Sequence, residues 1–381
     1  MNKNLFSINL LLYCILILGL VNCKVPYDPP VKSANAHYLV VEGYLNGNGQ
    51  TTIKMSRTRN ITSGDTAKNI YETGAHLQIE DDNNGHFPLN ESANGVYSGN
   101  YLLNPGNKYR LHIITTDGKE YISDFVPFKQ SPPIDTINWN FKNGGVQIYA
   151  NAHDPQDKTR FYRWDFQETW EFHSAFYSYL KWDSSLLKVV PRTNQIYICW
   201  RTENSTTIYL GSSTKLQQDI ISGAPLNLIA FGDKRISVLY STLVTQYALD
   251  SAAYNYWNAM KSNTENVGSI FDPQPNQTRG NIHCTKDSSE VVVGYIGAGI
   301  TQQKRIFISN NQMPANWNSP PDCVIDSVPK DSIAYYLGGT LGFVPIDTIL
   351  DPMTRFGYTS SFLNCVDCTY YGTNVKPPFW P

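Results

Sequence analysis

Apolar and polar residues alternate along much of the chain with a period of two, which is the period of strands that bury one face. The longest alternating runs are Tyr109-Arg110-Leu111-His112-Ile113 and Tyr162-Arg163-Trp164-Asp165-Phe166-Gln167. Further candidate strands lie at 38–44, 52–56, 76–80, 146–150, 196–200, 236–240, 291–296 and 305–309. Clusters of Gly, Asn, Asp and Pro separate them at spacings typical of antiparallel sheets. The pattern therefore predicts a mainly β protein.

The stretch Leu103-Asn104-Pro105-Gly106-Asn107-Lys108-Tyr109-Arg110-Leu111 resembles the tyrosine corner of immunoglobulin-like and fibronectin type III sandwiches. In that motif the hydroxyl of the tyrosine, here Tyr109, bonds back to the backbone. We therefore expect an N-terminal sandwich at residues 33–130, which ends at the consecutive prolines Pro132-Pro133. A second β-rich domain follows at 131–381, so the predicted architecture is two tandem β-sandwich domains of the immunoglobulin or fibronectin type III kind.

One stretch, residues 250–265, predicts a helix inserted in the second domain. Asp250 can cap its start and Gly268 can end it. Its expected buried face consists of Ala253, Trp257, Met260 and Thr264. We expect this face to pack on its own sheet, and docking of a partner is the alternative. Residues 172–187 are rich in aromatic side chains without strand alternation and predict a long loop.

The N-terminus has the pattern of an export signal. An apolar run from Leu5 to Leu20 follows Lys3, so residues 1–22 are predicted to be a signal peptide. Leu20-Val21-Asn22-Cys23 resembles the lipobox of bacterial lipoproteins, although Asn22 departs from its usual small residue, and Cys23 is the predicted lipidation site. An ordinary secretory signal or an uncleaved anchor is the alternative. Residues 23–32 then form a Pro-rich tether.

Composition narrows the class of protein without naming a reaction. The 381 residues are 41% hydrophobic, 13% aromatic and 16% charged, which argues against disorder and against a polytopic membrane protein. Lys and Arg number 30 against 32 Asp and Glu. Because this near-neutral balance does not favour a basic surface that would bind the phosphates of a nucleic acid, nucleic acid is not an expected partner.

Seven cysteines agree with export. Cys14 lies in the signal and Cys23 at the lipid site, and the candidates for disulfides are Cys199, Cys284, Cys323, Cys365 and Cys368. An odd number leaves one thiol unpaired, and the connectivity stays open. Cys365 and Cys368 form a C-x-x-C that is compatible with a redox couple or half a zinc site. Structural disulfides are favoured, because the predicted envelope compartment is oxidising.

Two acidic stretches invite a chemical interpretation. Residues 80–91 mimic the spacing of a calcium loop, but Asn83-Asn84-Gly85 is also an ordinary hairpin turn, which we favour. Asp165, Glu168 and Glu171 offer carboxylates for glycoside chemistry. On a strand the first two point to opposite faces, so solvated strand acids are the expected account.

Neither the histidines nor the aromatic residues define a site by sequence alone. No two of the seven histidines have the helical spacing of a zinc hydrolase, and no nucleophile elbow or phosphate-binding loop is present. The 25 Tyr and 8 Trp allow a surface that stacks on sugars, but half-buried strands use the same residues. No catalytic residue, metal site or cofactor is predicted.

Several stretches together resemble the Bacteroidota lipoproteins grouped as domain-of-unknown-function family 4249. They are Val41-Glu42-Gly43-Tyr44, Arg160-Phe161-Tyr162-Arg163-Trp164, Glu168-Thr169-Trp170-Glu171-Phe172, Phe271-Asp272-Pro273-Gln274-Pro275, Gly280-Asn281-Ile282, Cys365-Val366-Asp367-Cys368 and the segment 372–380. The resemblance implies a β-rich envelope lipoprotein encoded near TonB-dependent receptors. It offers no reaction or catalytic residue.

These inferences predict a non-catalytic outer-membrane lipoprotein, held in the lipid through acylated Cys23. Its expected role is a binding or assembly accessory of a TonB-dependent β-barrel receptor in nutrient uptake. The alternative is an independent surface module that binds glycans or mediates adhesion. Which side of the outer membrane it faces stays open.

Overall fold

The computed structural model describes residues 37–59, 70–142, 144–265, 279–318, 322–339, 341–349 and 357–381. The chain divides into two compact units, Met1–His37 with Thr58–Lys68 and Tyr38–Arg57 with Asn69–Pro381, and every element below lies in the second. The predicted signal peptide, Cys23, the tether, Gly268 and the stretch 271–275 lie outside the described residues.

The described chain is mainly β. Its first half contains β1 (Leu39–Asn46), β2 (Asn48–Arg57), β3 (Ile70–Tyr71), β4 (His76–Asp81), β5 (His86–Ala93), β6 (Val96–Leu102), β7 (Lys108–Ile114), β8 (Glu120–Ser123), β9 (Val126–Gln130), β10 (Ile134–Lys142), β11 (Gly145–His153), β12 (Phe161–His173), β13 (Leu180–Asp183) and β14 (Lys188–Pro191).

The second half contains β15 (Ile198–Asn204), β16 (Tyr209–Ser212), β17 (Ile220–Ala230), β18 (Leu239–Leu249), α1 (Ser251–Glu265), β19 (Ile282–Cys284), β20 (Val292–Val293), β21 (Ala298–Ile300), β22 (Gln302–Ser309), β23 (Asp326–Pro329), α2 (Ile333–Leu337), β24 (Phe343–Ile349), β25 (Gly357–Phe362) and α3 (Leu363–Val366). Single 3₁₀ turns lie at Lys234–Ile236, Asn310–Gln312, Lys330–Ser332 and Cys368–Tyr370.

Strands β1–β9 pair antiparallel with one another and enclose the first core. The predicted alternation is confirmed in β7, where Tyr109, Leu111 and Ile113 are fully buried and the intervening residues are not. The Tyr109 hydroxyl donates to the carbonyl oxygen of Asn104 over 2.9 Å. This is the backward bond expected from the tyrosine-corner motif.

The predicted hairpin turn joins β4 to β5. The Asp81 carboxylate accepts hydrogen bonds from the backbone N–H groups of Gly85 (2.6 Å) and Asn83 (3.0 Å), and Asn84 has a φ of +63°. These bonds occupy the carboxylate with the turn itself. The turn interpretation of the calcium-like spacing is therefore confirmed.

Three short strands of the predicted C-terminal domain lie in the first sheet instead. β19 pairs antiparallel with β8, β20 and β21 pair parallel with β1, and β21 also pairs parallel with β9. Their side chains Ile282, Val292 and Ala298 join the first core. The prediction that all of 131–381 forms a separate domain did not include these strands in the first sheet, because periodicity identifies a strand but not the strand it pairs with. The boundary at residue 130 itself stays a prediction.

A second core lies against a three-stranded sheet, β10-β11-β17, and a five-stranded sheet built on β12. In β12, Tyr162, Trp164 and Phe166 are buried, as their alternation predicts. β12 continues to His173, and β13 and β14 form a hairpin. The long loop predicted at 172–187 is therefore only partly a loop. Strands of four residues are too short to show a period.

The helix α1 begins directly after Asp250, whose carboxylate accepts from the backbone N–H of Ala253 over 2.7 Å. This is the predicted cap. Its buried residues are Ala253 and Tyr256, whereas Thr264 is exposed. The predicted face is therefore rotated toward Tyr256, whose ring lies 5.3 Å from that of Tyr295.

The remaining elements surround a third, small core. β23, β25 and β24 form a sheet, and the buried apolar side chains that cluster beside it are Ile196, Ile346, Cys365 and Val366. Two disulfides, Cys199–Cys368 and Cys323–Cys365, bind this region, with Cα–Cα distances of 5.7 and 5.9 Å. We call the described residues of 174–199 and 322–381 the disulfide-linked region.

Candidate functional site

Four aromatic rings form a continuous row on the disulfide-linked region and the adjoining end of β12. Ring centroids lie 4.9 Å apart for His173 and Tyr197, 5.4 Å for Tyr197 and Tyr177, and 4.8 Å for Tyr177 and Tyr179. Tyr177 and Tyr179 are 50% and 60% exposed. We call these four residues the aromatic strip.

Backbone hydrogen bonds hold both sides of the aromatic strip. The N–H of Tyr179 donates to the carbonyl oxygen of Ile346 in β24 over 2.9 Å. On the other side, the N–H of Ser174 donates to the carbonyl of Tyr197 (2.9 Å), and the N–H of Cys368 donates to the carbonyl of Ile196 (2.8 Å). Cys368 is itself fixed by its disulfide, so the rings project from a tethered frame.

The chemistry of the aromatic strip is that of a binding surface. The hydroxyls of Tyr177, Tyr179 and Tyr197 make no hydrogen bond to any part of the chain that the structure describes. An exposed ring face offers apolar contact, and a free hydroxyl offers a donor and an acceptor. The arrangement suits a ligand with both apolar faces and hydroxyl groups.

The same region carries most of the exposed apolar surface. Of the large apolar side chains that are exposed in the described chain, four lie between residues 177 and 187 and ten between 324 and 379, against eleven elsewhere. The most exposed are Leu187 (73%), Val375 (70%), Val324 (67%) and Tyr335 (66%) within the region. Apolar residues concentrated in this way mark interaction surfaces.

Of the five candidate cysteines, four form two disulfides and one is a free thiol. Cys365 and Cys368 each bond to a different distant cysteine, so the C-x-x-C is neither a redox pair nor half a zinc site. Cys284 is the free thiol, and it is buried in the first core. Among the described residues no three His, Cys, Asp or Glu side chains form a group that could hold a metal ion.

The three carboxylates on β12 have three different environments. Glu168 is buried, which contradicts the expectation of a solvated acid. Its carboxylate accepts from the Arg235 guanidinium over 2.9 Å and from the Tyr240 hydroxyl over 2.9 Å. Burial and the Glu168 charge raise the pKa of Tyr240. Burial alone would lower the pKa of Arg235, but hydrogen bonds and charges from Asp233 and Glu168 raise it. This network ties β12 to its neighbours.

Glu171 and Asp165 do not join Glu168 in one cleft. Glu171 accepts from Trp380 Nε1 over 2.9 Å and lies 3.0 Å from His173 Nε2, so it fixes the end of the aromatic strip. Asp165 is half-buried, and burial raises its pKa. The paired-carboxylate arrangement of a glycosidase is therefore not formed by these three residues.

A small cleft, with room for about one water molecule, lies where β1, β12, β18 and α1 meet. The Arg163 guanidinium lies 4.2 Å from the Tyr247 ring and 4.3 Å from the Trp257 ring. Among the described residues, Arg163 Nε and the Tyr44 hydroxyl have no hydrogen-bond partner, and burial raises the pKa of Tyr44. The face of β12 that the alternation predicts to be solvated is thus covered here.

One other cluster of charged side chains lies in the first sheet. Glu80 contacts His112 Nδ1 at 2.8 Å and Arg110 at 2.7 Å, and His112 Nε2 lies 2.8 Å from Glu120. Burial alone would raise the pKa of Glu80, but hydrogen bonds from His112 and Arg110 lower it. This cluster stabilises the sheet face, and its Arg110 guanidinium disfavours a bound cation.

Sequence reasoning missed the aromatic strip. Its members come from a strand end at 173, a connection at 177–179 and a second connection at 197. The aromatic density at 172–187 is the one signal that pointed toward it. The partner Tyr197 is brought there by the fold.

Comparisons with known proteins give the family and little else. The family model described as "Domain of unknown function (DUF4249)" matches residues 24–305. No curated protein matches the chain. Among solved structures, the chain is similar to a two fibronectin type-III domain segment from chicken tenascin, with 9% identity and a TM-score of 0.16, over 55% of this chain and 90% of that one. In the described residues no helix is long and apolar enough to cross a membrane.

Proposed function

The chain belongs to the DUF4249 family, and from that premise we propose that it is a lipid-anchored, non-catalytic accessory of a TonB-dependent receptor at the outer membrane. Cys23 carries the proposed acyl chains. The two disulfides support an oxidising envelope compartment, because such bonds are rare where thiols are kept reduced.

The observation that carries the proposal is the exposed apolar surface of the disulfide-linked region. Val324, just before β23, and Tyr335, in α2, are both about two-thirds exposed. This region buries nine apolar residues, of which four form its core cluster, and exposes fourteen large apolar side chains, so much of its apolar surface is left for a partner to cover. In this proposal the β-barrel receptor covers that surface.

The proposed architecture is two tandem sandwiches of the immunoglobulin or fibronectin type III kind, with the boundary near residue 130 and α1 inserted in the second. Two of the cores are separate, and the Tyr109–Asn104 bond supports the first assignment. The return of β19–β21 then fastens the second sandwich to the first.

Purification from mildly solubilised outer membranes tests the receptor. We expect a TonB-dependent β-barrel to co-purify with the native chain and to be lost from a variant with Val324→Ser and Tyr335→Ser. Leu102→Ser is the matched control, since Leu102 is 86% exposed but lies in the first sheet. Exposed substitutions of this kind change stability by at most about 0.5 kcal/mol. A receptor absent from the native preparation, or retained by the double variant, contradicts the proposal.

The lipid anchor is tested separately. Cys23→Ser is expected to move the protein from the membrane fraction to the soluble fraction, because attachment by acyl chains scales with their buried methylenes. Cys14→Ser, in the predicted signal, is expected to leave the fractionation unchanged. Continued membrane retention of Cys23→Ser would exclude the lipobox.

The aromatic strip favours one second candidate, a glycan-binding surface module. Exposed Tyr177 and Tyr179 faces and free hydroxyls suit a polysaccharide. Affinity electrophoresis against a panel of soluble polysaccharides is the test, with Tyr177→Ala and Tyr179→Ala expected to abolish retardation. Tyr71→Ala is the control, since Tyr71 is also 50% exposed but lies in β3. Native protein that no polysaccharide retards, or retardation that survives both substitutions, removes this candidate.

A further inference from the structure

The hairpin of β13 and β14 ends in a protruding apolar tip. Asp183 and Lys188 are the last paired residues, and between them the chain exposes two consecutive leucines, Leu186 (58%) and Leu187 (73%). Neither leucine belongs to any of the three buried cores.

The leucines are held in place at a conformational cost. Leu187 has a φ of +49°, in the left-handed region that Gly, Asn and Asp occupy with less strain. The Asp183 carboxylate accepts from the backbone N–H groups of Ser185 (2.9 Å) and Leu186 (3.0 Å), which fixes the turn. A bulky apolar residue in a strained turn, exposed to water, points to a role outside the stability of the chain.

Charge around the tip selects among the possible occupants. Lys181 and Lys188 flank it, and neither ammonium makes an ion pair or hydrogen bond with the residues that the structure describes. Asp183 Oδ1 is occupied by the turn. Trp182 lies one residue before the turn and is half-buried. Apolar side chains at a tip, an aromatic residue behind them and free lysines at the rim form the pattern of a surface that enters a bilayer interface.

We infer that the tip at residues 183–188 inserts its two leucines into the acyl boundary of a lipid bilayer, with Lys181 and Lys188 at the anionic headgroups. The insertion orients the disulfide-linked region toward the membrane plane. It goes beyond the proposed function and does not need Cys23, because it is a second contact formed by a different part of the chain. A protein pocket as the occupant is the outcome that would replace it.

A site-specific probe of depth tests the insertion in the full chain. Leu187 is replaced by azidophenylalanine and coupled to a polarity-sensitive dye, which avoids the native cysteines. The matched control carries the same dye at position 102. Leu102 is also exposed (86%), but it lies at the end of β6 in the first sheet, distant in sequence from the hairpin. Both proteins are mixed with vesicles of phosphatidylethanolamine and phosphatidylglycerol. We expect a blue shift at position 187 and none at position 102.

Three further variants, each made in the labelled protein, test the two parts of the contact. Leu186→Ser is expected to reduce the shift, since the remaining leucine of the tip is lost. Lys181→Gln and Lys188→Gln are each expected to lower the apparent affinity for anionic vesicles, read from the shift, by about fivefold. Neither substitution is expected to change the affinity for vesicles of phosphatidylcholine alone.

Three results would overturn the inference. They are equal shifts at positions 187 and 102, no shift at either position, and a shift at 187 that requires detergent-solubilised outer-membrane protein instead of vesicles. The last result would assign the tip to a protein pocket. Because the label reports on position 187 alone, failure of the lipid anchor at Cys23 would leave this readout intact.

Discussion

The first core buries 21 apolar side chains, whereas the third core, in the disulfide-linked region, buries four. Each fully buried side chain contributes about 1.5–3 kcal/mol, so apolar burial stabilises the first core far more than the third. The strands of the first core and the turns between them expose five large apolar side chains, and the disulfide-linked region exposes fourteen. The disulfide-linked region thus combines a small core cluster with two covalent cross-links and a larger exposed apolar surface.

The largest expected effect comes from removing a disulfide. Cys368→Ser opens a loop of 169 residues and is expected to cost about 5 kcal/mol of unfolding free energy, and Cys365→Ser, with its 42-residue loop, about 4 kcal/mol. Thermal unfolding with and without reductant measures both. Cys284→Ala, the free cysteine of the first core, is the control and should be insensitive to reductant. Equal stability of Cys368→Ser and native protein would contradict the comparison.

A cavity in the first core should be the next largest effect. Leu111→Ala is expected to cost about 3 kcal/mol, because Leu111 is fully buried and its removal leaves a void. Urea unfolding followed by circular dichroism measures it, and reductant should not change the loss. If reduction of the disulfides and Leu111→Ala unfold the same elements to the same extent, the first core and the disulfide-linked region are not stabilised in different ways.

Acid should weaken the first sheet through Glu80. The pKa of Glu80 in the folded protein is lowered by His112 and Arg110, so its contribution is present above the unfolded pKa and is lost as pH falls through the folded one. Hydrogen bonds to a charged group suggest about 2 kcal/mol. Unfolding free energy measured between pH 7 and pH 3 should fall less for Glu80→Gln than for native protein. Glu42→Gln is the control, because Glu42 is an exposed acid on β1. If Glu80→Gln loses as much unfolding free energy between pH 7 and pH 3 as the native protein, Glu80 does not have the proposed effect.

The smallest effect is expected at the hairpin tip. Leu187→Asn should preserve or raise the unfolding free energy by less than about 1 kcal/mol, since asparagine tolerates the positive φ that leucine adopts there. Calorimetry measures the change, and Leu102→Asn, in an ordinary strand end, is the comparison. A clear loss of stability would show that Leu187 serves folding and not an interaction.

The features of this structure that the sequence predicts are those set by local chemistry. The alternation in β7 and β12, the Asp250 cap and the turn at Asn84 all followed from residues close together in sequence. Each of these depends on the conformation of a few neighbouring residues. The rotation of α1 toward Tyr256 shows the limit, because the buried face depends on what lies opposite.

By itself, the sequence determined that the chain is mainly β, which faces of its long alternating strands are apolar, and which cysteines are available for pairing. Only the tertiary structure decided that Cys199 pairs with Cys368, that β19–β21 return to the first sheet, that Glu168 meets Arg235, and that Tyr197 completes the aromatic strip. Periods and turns are set by neighbouring residues, whereas these contacts join residues from 20 (Tyr177 and Tyr197) to 253 positions apart (Leu45 and Ala298), and many pairings satisfy the same local pattern.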